Sequence, residues 1–120
     1  MNWSRIAAVL GFVGVLLGAF GAHGLHDHLE ASGRVDTWEK AVFYHMIHAV
    51  VLLVISSVNP QPPRKAAWWL FIGILLFSGS LYALCLTGVK MLGAVTPFGG
   101  VALLVGWASL FLNRSGDAKA

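Results

Sequence analysis

Charge is what this sequence has least of. Lys, Arg, Asp and Glu make up 11% of its residues, against a hydrophobic share of 58% and a mean hydropathy of +0.76. So few polar side chains cannot cover a water-soluble particle, so the expected solvent is the lipid bilayer. Cysteine occurs once, at Cys85 inside an apolar run, which excludes an intrachain disulfide and a Cys-x-x-Cys redox pair. Proline is almost confined to residues 59–65, which hold Pro60, Pro62 and Pro63; only Pro97 lies elsewhere. That stretch is therefore a loop, because proline removes a backbone donor and clashes with the preceding turn. The eight basic residues are too scattered to mark nucleic-acid binding, and nucleic acid is not an expected partner. A length of 120 residues allows one domain, 1–120.

Four apolar segments remain, at residues 3–22, 38–58, 67–87 and 94–112. Each is near the ~20 residues that an α-helix needs to cross about 30 Å of hydrocarbon. Lipid offers no water to unpaired backbone groups, so the predicted fold is all-α, an integral membrane bundle of four transmembrane helices. Arg5, Arg64, Lys65, Arg114 and Lys119 fall on one side; Arg34, Lys40 and Lys90 fall on the other. This bias predicts both termini in the cytoplasm. The first segment also fits a secretory signal, with Arg5 before the apolar run and Ala19-Phe20-Gly21 as a small-x-small cleavage site.

The punctuation between the segments is specific. Residues 23–37 hold Leu25 and Leu29 at i, i+4 followed by Ser32-Gly33, which predicts one or two amphipathic turns lying on the surface. Asp36 and Glu39 read as a capping box for the second helix, with Trp38 at headgroup level. Trp68 and Trp69 are expected to anchor the third helix, which ends at Thr87-Gly88. Thr96 reads as the N-cap of the fourth, with Pro97 in its first turn. From Pro97 to Leu112 such a helix would span only about 24 Å. Either it begins earlier and bends at Pro97, or its start is recessed and residues 91–95 dip inward. A recessed start would also turn the donors of Phe98, Gly99 and Gly100 toward a buried polar group, in competition with a plain cap.

Two stripes of small residues stand out. Gly11, Gly14, Gly18 and Gly21 share one face of the first helix; Gly99, Ala102, Gly106 and Ser109 share one face of the fourth. Such seams let backbones approach closely, and their matched lengths predict that the first and fourth helices pack antiparallel. The alternative is a homo-oligomer face.

Histidines carry the chemistry. His45 and His48 lie one turn apart on the second helix, and His23 closes the first. A titratable group inside a membrane segment points to function by default. Converging imidazoles suit haem or a transition metal, which makes His23, His45 and His48 candidate ligands. The bland reading gives each ring a carbonyl or hydroxyl on the next helix. Ser78, Tyr82 and Cys85 give the third helix a mildly polar face, so His23, His45, His48, Ser78, Tyr82 and Thr96 form the candidate polar cluster. His26 and His28 belong to the aqueous loop. No Ser/His/Asp set or carboxylate pair lies within the apolar segments, so no catalytic residues are assigned.

The motifs Gly18-Ala19-Phe20-Gly21-Ala22-His23-Gly24-Leu25, Tyr44-His45-x-x-His48-Ala49, Ser78-Gly79-Ser80-Leu81-Tyr82, Thr87-Gly88 and Thr96-Pro97-x-Gly99-Gly100 occur in that order. This series resembles the small bacterial inner-membrane family known as domain of unknown function 423, which has mitochondrial relatives among small four-helix transmembrane proteins. The likeness runs from the first helix to Trp107. It implies an uncleaved first helix, four spans and a multi-pass place in the bacterial inner membrane, and it brings no activity. It implies too that His23, His48, Thr96, Pro97, Gly99 and Gly100 belong to the family pattern, whereas His45, His26 and His28 are particular to this chain. The expected function is non-enzymatic: an accessory subunit or a small oligomeric transport component, with the bilayer, a further copy or a membrane protein as partner and no cofactor. The alternative is a haem- or metal-binding membrane protein, and an enzyme acting on a lipid-soluble substrate beside Tyr82 and His48 is a third reading.

Overall fold

The computed structural model describes residues 2–59, 61 and 63–117, with side chains as far as residue 112. Pro60, Pro62, Lys119 and the side chain of Arg114, all used in the sequence reading, lie outside that description. Among the described residues five α-helices follow one another: α1 (Trp3–Ala22), α2 (His26–Ser32), α3 (Val35–Val58), α4 (Arg64–Thr87) and α5 (Thr96–Asp117), with a 3-10 turn at Lys90–Ala94 ahead of α5. Four stretches of the described residues are long and apolar enough to cross a membrane: α1, α3, α4, and residues 90–112 made of the 3-10 turn and most of α5.

The boundaries follow local chemistry. Asn2 caps α1 by accepting the Arg5 N–H at 3.1 Å. The amphipathic turns predicted after the first span are α2, whose Leu29 is buried, and which stops at Gly33 in the left-handed region with φ 71°. That conformation favours glycine, because a Cβ would crowd the following carbonyl. Gly88, φ 75°, ends α4 in the same way.

The predicted Asp36/Glu39 capping box is not formed. α3 begins at Val35, straight after the Gly33 reversal, so Asp36 already lies in its first turn and no side chain caps the helix. Trp38 stands in the first turn of α3 and is turned into the bundle. It is 2% exposed and donates Nε1–H to the Leu17 carbonyl at 2.9 Å. Gly21 makes this possible, since a Cβ there would strike the indole of Trp38. Nor does Thr96 act as an N-cap. The Val95 carbonyl accepts the N–H groups of Phe98 and Gly99, and the path changes pitch at Val95, after the 3-10 turn, rather than at Pro97. Met91 is 82% exposed on the protein surface.

Packing runs in chain order: α1 on α3, α3 on α4, α4 on α5. The predicted pairing of the first and fourth spans is therefore overturned. Each small-residue seam serves the span adjacent to it in sequence, α3 for α1 and α4 for α5. Gly14 and Gly18 face His45, Met46 and Val42 of α3; Gly99 and Gly106 face Leu76, Phe77 and Leu70 of α4. A short connection makes sequential antiparallel helices neighbours before any distant pair can meet. Ala102 is buried in the α5 seam and Ser109 is half-buried, while Gly11 has nothing within 4 Å of where its Cβ would sit.

Two apolar cores result. One lies at the end bearing the chain termini, where Trp3 of α1 meets Trp68 and Phe71 of α4 edge-on and Ser4 meets Ser56 of α3 at 3.2 Å. The other lies under α2 and joins Leu29, Trp38 and Cys85. Outward faces carry exposed apolar side chains such as Phe12, Val50, Leu104 and Phe111, the surface lipid requires.

Candidate functional site

Between the two cores lies a polar layer centred on His45. The ring is 3% exposed and reaches both neighbours of α3. Nε2 lies 2.7 Å from the Leu10 carbonyl of α1, and Nδ1 lies 2.9 Å from the Tyr82 hydroxyl of α4. A carbonyl only accepts, so Nε2 carries the proton; the neutral ring then accepts the Tyr82 O–H at Nδ1. Tyr82 also packs on Trp38, ring centroids 4.9 Å apart. One imidazole thus joins three helices.

His48 is wired the other way. Its Nδ1 lies 2.7 Å from the Tyr44 carbonyl one turn back, and its Nε2 lies 3.1 Å from Trp107 Nε1 on α5. Indole N–H only donates, so Nε2 accepts and Nδ1 carries the proton. The two histidines share a helix yet face different partners: His45 faces α1 and α4, His48 faces α5. His23 is exposed at the C-terminal cap of α1. Among the described residues no three His, Cys, Asp or Glu side chains gather around a common point that would hold a metal ion.

The remaining predicted residues form separate ties. Ser78 donates to the Ala41 carbonyl of α3 at 2.7 Å, while Thr96 pairs with Ser80 across α4 and α5 at 2.6 Å. Ser78 and Ser80, two apart, point to opposite sides of α4 and hold different neighbours. His28 Nε2 donates to the Cys85 carbonyl at 3.1 Å, fastening α2 over the end of α4. His26 pairs with Glu30 at 3.0 Å on the surface of α2. At the start of α5 the donors of Phe98 and Gly99, weighed above as facing a buried polar group, bond the Val95 carbonyl instead. Among the described residues no buried side-chain nitrogen or oxygen lacks a partner.

Trp38, Ser80 and Trp107 are ties that the sequence reading leaves out. Trp107 carries a signal: an indole five residues inside a predicted span still needs an acceptor for its N–H. Trp107→Phe keeps an aromatic ring and removes the donor. It is expected to lower stability by about 1 kcal/mol, the scale of interhelical hydrogen bonds in lipid. An unfolding titration in mixed micelles, at constant helix content, reads that loss.

With this geometry in place, the relatives are informative. The family model described as a protein of unknown function (DUF423) matches residues 17–100, a span that holds His45, His48, Ser78, Tyr82 and Thr96. A UPF0382 membrane protein of Staphylococcus epidermidis is 46% identical over 115 residues, covering 90% of this chain and 93% of the relative. A UPF0382 membrane protein of Staphylococcus saprophyticus is 44% identical over 116 residues, covering 91% and 96%. The UPF0382 membrane protein YwdK of Bacillus subtilis is 41% identical over 107 residues, covering 85% and 86%. No solved structure matches.

Proposed function

This chain belongs to the DUF423 family of membrane proteins, and we propose that it is a non-enzymatic accessory component of the bacterial inner membrane. In this reading both termini are cytoplasmic, and the bundle works by association with a membrane protein or with further copies of itself. The observation that carries it is the state of the polar interior. Each intramembrane histidine has both ring nitrogens engaged, His45 by α1 and α4, His48 by α5 and by the Tyr44 carbonyl of its own helix, and Ser78, Ser80, Tyr82 and Thr96 are paired as well. A reaction centre or a transport path needs donors and acceptors free for the substrate. Here they hold helices, so the outward faces are left to do the recognising. The accessory role is for that reason preferred over a transport component.

The test is site-specific photo-crosslinking in intact membranes from Phe12, Val50 and Leu104, which stand on outward faces of α1, α3 and α5. The expected result is a discrete protein adduct from at least one face, either a dimer or a defined second protein. Lipid adducts alone from every face would contradict the proposal. A haem Soret band that disappears in His48→Ala would replace it with the ligand-binding alternative.

A further inference from the structure

At the end of the bundle that carries α2, a cavity of about 580 Å³ opens between α1, α2 and α3. Its depth is apolar: Gly18 of α1 and Val42 and Met46 of α3 line it, and Leu29 closes it from α2. Trp38 forms one wall and is held in place by its bond to the Leu17 carbonyl. Two titratable side chains reach the lining, His26 from α2 and Glu39 from α3. His26 is already paired with Glu30. Glu39 is exposed and has neither an ion pair nor a hydrogen bond from its side chain among the described residues. Its neighbour Lys40 does not line the cavity.

Size and lining fit a small-molecule site, mostly apolar with a few polar groups that fix orientation. The polarity is ordered: hydrocarbon in the depth, carboxylate at the rim. We propose that this cavity binds a phospholipid with an amine head, of the ethanolamine class, one acyl chain lying against Gly18, Val42 and Met46 and the ammonium on Glu39. An ammonium brings three donors and a positive charge to an acceptor-only group. An anionic head would instead meet Glu39, and Glu30 behind His26, as like charges. The site lies where the apolar spans give way to the polar residues of α2, the level at which a lipid changes from tail to head. The inference does not rest on the accessory role and leaves it unaltered.

The experiment is native mass spectrometry of the full chain in mild detergent, with equal amounts of ethanolamine and glycerol phospholipids of identical acyl chains. The unaltered protein is expected to retain the ethanolamine lipid in roughly tenfold preference, the effect of one charge-assisted pair. Glu39→Gln is expected to bring the ratio near one, Glu39→Lys to invert it, and Lys40→Gln to leave it unchanged. Ala22→Trp, which fills the mouth of the cavity, should abolish retention of both lipids. If that variant does not fold, the exposed Glu39 variants decide alone. Equal retention by the unaltered protein overturns the assignment, as does an unchanged ratio in Glu39→Gln or an equal drop in Lys40→Gln.

Discussion

Gly99→Leu is expected to break the α4–α5 pair. A Cβ at Gly99 would fall onto the backbone nitrogen of Phe77 and 2.7 Å from the Leu76 carbonyl carbon. Backbone cannot rotate away as a side-chain tip can, so the helices themselves must part. Overpacking of this kind costs about 1–3 kcal/mol for a single methyl, and leucine adds more. Parting α5 from α4 also strips the contacts that Gly106 makes with Leu70 and Gly73 makes with Leu103, and it strains the Ser80–Thr96 bond. In lipid no hydrophobic penalty opposes that separation, so lost packing is lost stability. Gly11 supplies the internal control, since nothing lies within 4 Å of where a methyl group on it would sit. Gly11→Ala should leave the unfolding midpoint nearly unchanged, Gly99→Ala should lower it clearly, and Gly99→Leu should lose the folded bundle. Equal effects at Gly11 and Gly99 would refute the close approach.

The second large effect is expected at His45. His45→Phe keeps an aromatic ring and removes both bonds, so the half-buried Tyr82 hydroxyl is left without its acceptor. Leaving such a group unsatisfied costs about 1–3 kcal/mol, more than the net worth of the bond itself. Removing the hydroxyl as well should recover part of the loss, since an apolar pair of the same shape can be nearly neutral. His45→Phe is therefore expected to be less stable than His45→Phe/Tyr82→Phe. A double-mutant cycle measures the difference directly. Strictly additive losses would mean that the 2.9 Å contact between His45 and Tyr82 contributes nothing.

Much of this fold is legible in the sequence, and the misses have common causes. Residues 3–22 are bounded correctly because an apolar run, a polar cap at Asn2 and a break after Ala22 all agree. The second and third spans begin three residues before their apolar runs, at Val35 and Arg64, because a first helical turn tolerates polar side chains that hydropathy excludes. Periodicity identifies the faces of the two glycine seams but not their partners. A stripe of small residues permits close approach to any helix, and connectivity selects which. For the histidines, a shared face does not mean a shared destination. Three residues turn a helix through about 300°, which leaves the two rings about 60° apart. On a helix flanked by α1, α4 and α5, that divergence sends them to different partners. Trp38 does sit at a span end, but its inward turn is not legible in the sequence, because it depends on what lies opposite, here Gly21 and the Leu17 carbonyl.

The intramembrane histidines hold helices together, each through a fixed and opposite hydrogen-bond pattern. Nitrogen-15 spectra of the histidine rings in the intact detergent-solubilised protein test it most directly, with His45→Phe and His48→Ala assigning the signals. The expected spectrum shows two neutral rings in different tautomers: His45 protonated at Nε2, facing the Leu10 carbonyl, and His48 protonated at Nδ1, facing the Tyr44 carbonyl. Two rings in the same tautomer, or a cationic ring at neutral pH, would contradict it.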